Sequence, residues 1–318
     1  MKTINESAKS APLAADLLVF AKVVEHGTFT AAARNLRMAK SQVTKQVRRL
    51  EGSLSVTLLH RTTRRLALTE AGSAVFEHAE AVARAADSAA DVAGMHTAQA
   101  SGRIRVTASV SYALHVLAPL LPGFCERHPL VAVEFVLVDR YVDLLEEGVD
   151  LAIRLTDAPP PGLAGRPLDR TSFVVCGAPA FLDSRQIRHP ADLRDIPCFS
   201  FSAQARRSGA IWQFRRRAER VDVPVKAPVV ANSSDMVREL VLRGMGLGLL
   251  PGFAVKEDLA CGRLQPLLGE WEPTGAFGTA AWVLWQPQRV LPPKLRVFVD
   301  YLVEQLSTAD DAVVAKNG

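Results

Sequence analysis

Apolar side chains recur at helical spacing in three successive stretches near the start of the chain. The first stretch has apolar residues at i, i+3, i+4 and i+7, namely Leu17, Phe20, Ala21 and Val24. It predicts a helix over about residues 12–26, with Gly27 at the position of a C-cap. A second, short helix is predicted from Ala31 to Leu36, and Thr30 is expected to cap it by accepting a hydrogen bond from a free backbone N–H.

The third stretch predicts a helix over about residues 40–54 with two unlike faces. Its buried stripe recurs at i, i+4, i+7 and i+11 and consists of Val43, Val47, Leu50 and Leu54. The residues that point away from this stripe carry hydroxyls or positive charges: Lys40 at the tip, Ser41, Thr44 on the flank, Lys45 and Arg48. Two short strands, at about 58–61 and 65–68, then enclose a basic turn, which predicts a hairpin.

This order of elements predicts a winged helix-turn-helix. Two helices joined by a tight turn, the second with polar and basic side chains outward, can enter the major groove of DNA. We therefore expect a double-stranded DNA partner, contacted by Thr30, Lys40, Ser41, Thr44, Lys45, Arg48, Arg61, Arg64 and Arg65. The alternative is a solvated basic face without a partner.

A long helix is predicted next, from Thr69 to about Gln99. It carries one narrow stripe of mostly small apolar residues, which begins with Val75, Ala79, Val82 and Ala86. Such a stripe favours close packing against another helix, and we interpret it as the contact between two copies of the chain. The alternative is that the stripe packs onto its own domain.

From Gly102 onward, strands alternate with helices, which predicts an α/β region. Strands are expected at about 103–108, 131–138, 150–155, 172–176, 198–202, 229–231, 247–250 and 279–285. Helices are expected at about 114–127, 142–148, 233–243 and 294–306, with a short one after Pro251. The chain then crosses twice between two lobes, lobe I at about 102–165 and 279–307 and lobe II at about 166–278. The predicted domains are 12–68 for DNA binding, 69–100 for the linker and 101–308 for the lobes.

Residues of a candidate effector cleft follow several of these strands, at the edge where ligands bind in open α/β sheets. They are Ser109, Val110, Ser111, Arg140, Arg154, Thr156, Phe201, Ser202, Asn232, Ser233 and Ser234. Hydroxyls and free N–H groups at helix starts favour a small organic anion, such as a carboxylate. Two alternatives stay open. These residues serve as ordinary caps, turns or ion-pair partners, or a neutral aromatic effector packs against Phe201.

Composition and charge narrow the class of protein. The chain has 318 residues, of which 48% are hydrophobic and 22% charged, a globular balance for two or three domains. Residues 1–72 contain 12 Lys and Arg against 5 Asp and Glu, whereas the remainder contains 26 against 28, so the basic charge is local. The four cysteines lack metal-type spacing, and neither a signal-peptide core nor a membrane-length apolar run is visible. We therefore expect a cytoplasmic protein without a metal site, a disulfide framework or a membrane partner.

The run from Gly27 to Gly72 resembles the winged helix-turn-helix of LysR-type transcriptional regulators. The resemblance rests on FTAAAR at 29–34, QVRRLE at 46–51, the LxRT entry to the wing and the LTxAG opening of the long helix. This chain has Arg37 where such proteins usually have Gly, and Ala39 where they have a Ser N-cap. We therefore expect a turn at Arg37 that does not need positive φ, and a third helix without its side-chain cap.

The resemblance extends over nearly the whole chain, through Asp139–Arg154 and the glycine-rich stretch that ends at Pro251. It implies an α+β multidomain fold: a winged helix-turn-helix, a dimerising linker helix and a two-lobed effector-binding domain of the periplasmic-binding-protein-like type. It also implies that the residues of the candidate cleft bind an inducer. The protein would then bind an inverted-repeat operator as a homodimer or homotetramer, and an effector would modulate operator binding or promoter activation.

A catalytic role is the rival interpretation. Gly244, Gly246 and Gly248 follow a predicted helix rather than a strand, so they lack the context of a dinucleotide-binding loop. No nucleophile elbow, zinc-protease or P-loop motif occurs in the sequence. We therefore favour a ligand-responsive regulator that is not an enzyme and needs no cofactor. The alternative is a two-lobed small-molecule binding protein or α/β enzyme with a basic N-terminal appendage.

Overall fold

The computed structural model describes residues 7–61, 66–93, 100–140, 143–144, 147–200, 210–274 and 278–314. The chain divides into two compact units, Met1–Ala98 and Gln99–Gly318, called unit 1 and unit 2 below. Unit 1 contains the helices α1 (Ser7–Glu25), α2 (Phe29–Asn35), α3 (Lys40–Leu54) and α4 (Glu70–Ala93) and the strands β1 (Leu59–Arg61) and β2 (Leu66–Leu68).

The core of unit 1 lies between α1, α2, α3 and α4. Phe20 and Val23 of α1 are fully buried, as are Val43, Val47 and Leu50 of α3, so the apolar periods that predicted these helices are confirmed. Leu54, predicted as part of the α3 stripe, is 37% exposed because it is the last residue of the helix. The hairpin is confirmed: β1 and β2 pair antiparallel, with Leu59 opposite Leu68.

The turns of unit 1 correct two predictions. Thr28, not Thr30, is the N-cap of α2, and its hydroxyl accepts a hydrogen bond from the N–H of Ala31 at 3.1 Å. Thr30 lies within the first turn because the helix already begins at Phe29. Arg37 does adopt a positive φ, of 52°, so the turn before α3 has the left-handed conformation that glycine adopts more easily.

The start of α3 replaces the missing serine cap with a contact from within the helix. Ala39 is the N-cap residue and has no side-chain acceptor. The Gln42 side chain reaches back instead, and its Oε1 accepts the N–H of Ala39 at 3.0 Å. One otherwise unsatisfied donor at the entry to the helix is thereby paired.

Helix α4 packs against α1 of its own unit. Ala79 is fully buried and Ala83 is 6% exposed in the same core as Phe20, whereas Val75 and Val82 are half-buried and Ala86 is exposed. For Val75 and Ala79 the alternative interpretation therefore holds: both residues contact the core of their own domain, since the buried face of α4 is rotated slightly from the predicted stripe. The predicted end of this helix, residues 94–99, lies outside the described residues.

Lobe I of unit 2 is built on a five-stranded sheet in the order β4-β3-β5-β14-β6. The strands β3, β4 and β5 run parallel, and β14 is antiparallel to both β5 and β6. Helical turns after β3 and the long C-terminal helix cover the sheet. The strands are β3 (Gly102–Ala108), β4 (Val131–Leu137), β5 (Leu151–Leu155), β6 (Ala164–Arg170) and β14 (Ala280–Trp285). The helices are α5 (Val110–Tyr112), a π-helical turn (Ala113–Leu117), a 3-10 turn (Ala118–Leu120), α6 (Leu121–Arg127) and α10 (Pro293–Val314).

Lobe II contains a four-stranded sheet, β12-β7-β11-β8, and a three-stranded antiparallel sheet, β10-β9-β13. The strands are β7 (Phe173–Gly177), β8 (Cys198–Ser200), β9 (Ala210–Arg216), β10 (Glu219–Val225), β11 (Leu247–Pro251), β12 (Gln265–Leu267) and β13 (Glu272–Thr274). The helices are α7 (Pro179–Leu182), a 3-10 helix (Pro190–Asp195), α8 (Ser234–Leu242) and α9 (Gly252–Ala260).

Three predictions for unit 2 are wrong. β6 pairs with β14 in the sheet of lobe I, so lobe I extends to Arg170 rather than ending at residue 165. Residues 229–231 form no strand; only Ala231 takes part in a single β-bridge, and the chain continues directly into α8 at Ser234. The described residues of the predicted helix at 142–148, which are 143–144 and 147–148, belong to no helix.

Candidate DNA-binding face and effector cleft

The outer face of α3 presents its polar side chains to solvent. Lys40, Ser41, Lys45 and Arg48 are exposed and, with Thr44, line one shallow surface depression. Thr44 is half-buried, and its hydroxyl donates back to the carbonyl of Lys40 at 2.9 Å. The structure thus brings together these five predicted residues on one basic face, which we call the α3 face.

An ion pair between a buried carboxylate of α1 and an exposed guanidinium of α3 fixes these two helices to each other. Arg49 donates from Nε to Asp16 Oδ2 at 2.6 Å and from Nη2 to Asp16 Oδ1 at 2.5 Å, and Asp16 is only 2% exposed. The hydrogen bond with Asp16 raises the pKa of the Arg49 guanidinium. Arg49 therefore holds the helix in place while its neighbour Arg48 points outward. Sequence reasoning missed this pair because its members are 33 residues apart on different helices.

The wing, which is the hairpin of β1 and β2, is hydrogen-bonded to the last turns of α3 through a carboxylate. Glu51 Oε1 accepts the N–H groups of Leu58 at 3.0 Å and Leu59 at 3.3 Å, at the entry to β1. Arg61 ends β1, but its side chain, and all of Arg64 and Arg65, lie outside the described part of the chain. Thr30 is exposed on α2.

In unit 2, the predicted anion site after β3 is already occupied by a carboxylate of the chain. Ser109 caps α5 by accepting the N–H of Tyr112 at 3.4 Å, and the N–H of Val110 donates to Asp139 Oδ1 at 3.2 Å. For Ser109 and Val110 the capping alternative therefore holds. Ser111, by contrast, is 4% exposed, and its Oγ has no hydrogen-bond partner.

The two predicted arginines of the cleft are engaged by lobe I. Arg154 Nη2 donates to Thr107 Oγ1 at 2.9 Å and to the carbonyl of Arg140 at 3.3 Å. Arg140 Nη1 pairs with Glu147 Oε1 at 2.6 Å, so the ion-pair alternative is confirmed for Arg140. The positive charge of Arg154 also acts on Asp139 and lowers the pKa of that carboxyl.

Other predicted cleft residues serve turns and caps. The Thr156 hydroxyl donates to the carbonyl of Ala158 at 2.8 Å, and Ser233 caps α8 by accepting the N–H of Met236 at 3.4 Å. Ser234 is buried at the start of α8, and Asn232 is exposed just before it. Phe201 and Ser202 lie outside the described residues.

Two contacts that sequence reasoning missed join the lobes. His115 Nε2, on the π-helical turn of lobe I, lies 2.7 Å from Asp235 Oδ1 at the start of α8 in lobe II. The Tyr112 ring meets the Phe253 ring edge-on, with centroids 5.3 Å apart. No local pattern signals either contact, because the His115–Asp235 pair spans 120 residues of chain.

Asp139 stands in an unfavourable environment for a carboxylate. Burial raises its pKa most, and the charge of Asp235 raises it further, against the lowering effects of the Val110 N–H and Arg154. Asp139 belongs to lobe I and Asp235 to lobe II, so a charge of lobe II acts on a carboxyl group of lobe I at the candidate cleft.

Lobe II holds α8 with a second buried carboxylate. Asp258 of α9 is fully buried and accepts hydrogen bonds from Arg238 Nε at 2.5 Å and from Arg263 Nε at 2.8 Å. Burial alone would raise the pKa of Asp258, but the hydrogen bonds from Arg238 and Arg263 lower it below its ordinary value. This cluster anchors the helix that carries Asp235 into the cleft.

The described residues contain no group of three His, Cys, Asp or Glu side chains arranged to hold a metal ion. Their four cysteines are free, with Cys176 and Cys198 buried and Cys125 and Cys261 exposed. No helix among the described residues is long and apolar enough to cross a membrane.

A winged helix-turn-helix joined to a two-lobed α/β unit defines a ligand-responsive DNA-binding protein. The profile of the bacterial regulatory helix-turn-helix of the LysR family matches residues 14–73, and that of the LysR substrate binding domain matches residues 97–307. The chain belongs to the LysR family of transcriptional regulators, and its effector-responsive regulator function follows from that membership.

Similar proteins cover nearly the whole chain. The probable transcriptional regulator LtrA of Klebsiella pneumoniae is 35% identical over 91% of this chain and 93% of its own length. The regulator CrgA of Neisseria meningitidis serogroup C is 34% identical over 92% of this chain and 96% of its own. A solved structure of CrgA from Neisseria meningitidis matches with a TM-score of 0.58 and 33% identity, covering 92% of this chain and 98% of that one.

Proposed function

We propose that this regulator reads an inverted-repeat operator with the α3 face and responds to a small organic anion bound between the lobes of unit 2. The observation that carries the proposal is the division of α3 into two faces. Val43, Val47 and Leu50 are fully buried, whereas Lys45 and Arg48 are exposed. Exposed cations aligned on one helix face attract phosphate and can reach base edges in the major groove.

Each predicted contact has a role in this proposal. Lys45 and Arg48, in the body of α3, reach base edges, since a helix in the major groove directs such side chains inward. Residues at the helix starts and on the wing contact the sugar-phosphate backbone or the minor groove and fix the register. These residues are Thr30, Lys40, Ser41, Thr44, Arg61, Arg64 and Arg65.

The decisive experiment measures operator affinity across salt concentrations. We expect Lys45→Ala and Arg48→Ala each to weaken binding by about 1–3 kcal/mol, because each removes a base-edge contact. Lys256→Ala is the matched control, since it removes one exposed positive charge from unit 2. Fluorescence anisotropy with a labelled operator, located by footprinting, gives the affinities. If both α3 variants bind like Lys256→Ala at every salt concentration, the α3 face does not read DNA.

Two copies of the chain are needed to read two half-sites, and we propose that α4 joins them. Val82 is half-buried and Ala86 exposed on the flank of the face that packs against α1, so this flank is available to a second copy. A charge at Val82 would be buried in such a contact without a counterion. Val82→Glu should therefore shift the protein towards monomer in sedimentation, with Glu77→Gln as an exposed control on the same helix. An unchanged oligomer contradicts this role of α4. We propose further that two such dimers associate into a homotetramer.

The anionic effector is supported by Arg154 and by the hydroxyl groups that surround the end of β3. Ser109 and Asn232 would donate hydrogen bonds to the anionic group, with Thr156 and Ser233 nearby in the topology; the Ser109 oxygen accepts the Tyr112 N–H, but its own proton is not used by that bond. Ser111 would contact another part of the effector. The helix start at Val110 no longer supports an anion, because Asp139 accepts its N–H.

We propose further that the chain acts in the cytoplasm, where the DNA lies, and performs no catalysis, as the regulator names of its relatives support.

A further inference from the structure

Two buried polar atoms at the junction of the lobes lack hydrogen-bond partners. They are Ser111 Oγ, on a residue that is 4% exposed, and Asp235 Oδ2, whose companion oxygen already contacts His115. A buried polar atom without a partner costs about 1–3 kcal/mol, so most such atoms in folded proteins are satisfied. These two atoms therefore indicate a missing hydrogen-bonding group.

Ser111 and His115 face the same side of lobe I. They are four residues apart in one helical run, and residues at this spacing lie one above the other. Because His115 Nε2 is 2.7 Å from Asp235 Oδ1, this side of the run faces the start of α8. Ser111 thus lies on the side of lobe I that faces the start of α8.

The charges around this position favour a positive group. Asp139 and Asp235 contribute one carboxylate from each lobe. Burial raises the pKa of Asp139 most, and the negative charge of Asp235 raises it further. Two cations act on these carboxylates, and both are also hydrogen-bonded within their own lobes: Arg154 donates to Thr107, and Arg238 donates to Asp258. His115 itself occupies only one oxygen of Asp235.

We propose that the effector carries a protonated amino group, which donates hydrogen bonds to Asp235 Oδ2 and Ser111 Oγ beside the Asp139 carboxylate. This inference rests on the proposed effector site and specifies its chemistry. An ammonium group has three donors and one positive charge, so it can satisfy both orphaned atoms and offset the negative charge of the two carboxylates. A hydroxyl supplies one donor and no charge, and a carboxylate at this position would add a third negative charge. With the anionic end near Arg154, the effector is a small amino acid rather than a hydroxy acid or a simple carboxylic acid.

Matched compounds test the inference on the full-length protein. The first probes are the twenty standard amino acids, each tested for its effect on the melting temperature of the protein. Hydroxy and deamino analogues are then tested for every amino acid that raises this temperature, and for alanine, leucine and phenylalanine in any case. We expect at least one amino acid to bind in calorimetry, with both of its analogues at least tenfold weaker. If an analogue binds as well as its amino acid, or if no amino acid binds, the inference is wrong.

Protein variants then test the residues that would contact the amino group. Asp235→Asn retains an oxygen for His115 but removes the charge, and we expect it to weaken amino-acid binding at least tenfold. Ser111→Ala should weaken it severalfold, and Asp183→Asn, an exposed acid of lobe II, is the control. Unchanged binding by Asp235→Asn overturns the proposal. Operator binding by the parent protein separates the two claims: binding of operator without binding of any amino acid refutes the amino group alone, whereas loss of both refutes the proposed function.

Discussion

The α3 face and the effector cleft are both rich in polar side chains, but they satisfy these side chains in opposite ways. On the α3 face, Lys45 and Arg48 extend into solvent and pair with no acid among the described residues. In the cleft, Arg154 and Asp139 are hydrogen-bonded to neighbouring segments of lobe I. The α3 face is therefore ready for a large polyanion, whereas the cleft is a built network with a few unsatisfied atoms.

This difference determines how each region responds to mutation. Removing an exposed cation from the α3 face leaves no buried group without a partner, so it changes binding and leaves stability nearly unchanged. Removing one member of the networks around the cleft leaves a buried charge or polar atom unpaired, so it changes stability as well.

The largest expected effect concerns Asp258, behind the cleft. Asp258→Ala removes the carboxylate that joins Arg238 to Arg263, and we expect the free energy of unfolding to fall by about 3 kcal/mol. This value is at the low end for a buried pair because Arg263 is half exposed. Chemical denaturation of the variant, with Asp183→Ala as the exposed control, measures the effect. Equal midpoints for the two variants would show that Asp258 does not anchor α8.

The pH dependence of this effect has a defined sign. The pKa of Asp258 is lowered in the folded chain, so its charged form stabilises the fold at pH values above its ordinary pKa of about 4. That contribution is lost as the pH falls through the lower, folded pKa. The stability difference between the parent and Asp258→Ala should therefore shrink only in acid, below about pH 4. A difference that already shrinks between pH 8 and pH 6 would assign it to another group.

The contrast between the α3 face and the effector cleft also explains which features could be predicted from the sequence. The α3 face was predictable because one helix period separates Val43, Val47 and Leu50 from Lys45 and Arg48, and local spacing carries that information. The hairpin, the long helix after it and most strands of unit 2 have equally local signals. The His115–Asp235 pair has none, since it depends on how two lobes meet after 120 residues of chain.

Errors in the predictions have the same physical origin. Whether β6 joined lobe I or lobe II depended on its pairing with β14, more than a hundred residues later in the chain. The hairpin of β9 and β10 in lobe II was missed, although Trp212 and Phe214 alternate with exposed residues in β9. The alternation is short and runs directly into the cations Arg215, Arg216 and Arg217 at the turn, so few apolar positions signal the strands. Ala79 is buried at the predicted helical spacing, but it packs against its own unit rather than a second copy. A stripe of apolar residues does not indicate which helix will cover it.

The smallest expected effect concerns the turn that sets the angle between α2 and α3. Arg37 has a φ of 52°, a conformation that costs most residues about 1 kcal/mol and glycine little. Arg37→Gly should therefore be more stable than Arg37→Ala by about 1 kcal/mol, although both remove the same charge. Because both variants lose the arginine side chain, the difference in stability between them reports only on the backbone conformation of the turn. Thermal unfolding of both variants gives the comparison, and operator affinity should fall equally in the two if Arg37 contributes only charge to DNA binding. Equal stabilities would mean that the turn relaxes to negative φ without displacing the α3 face.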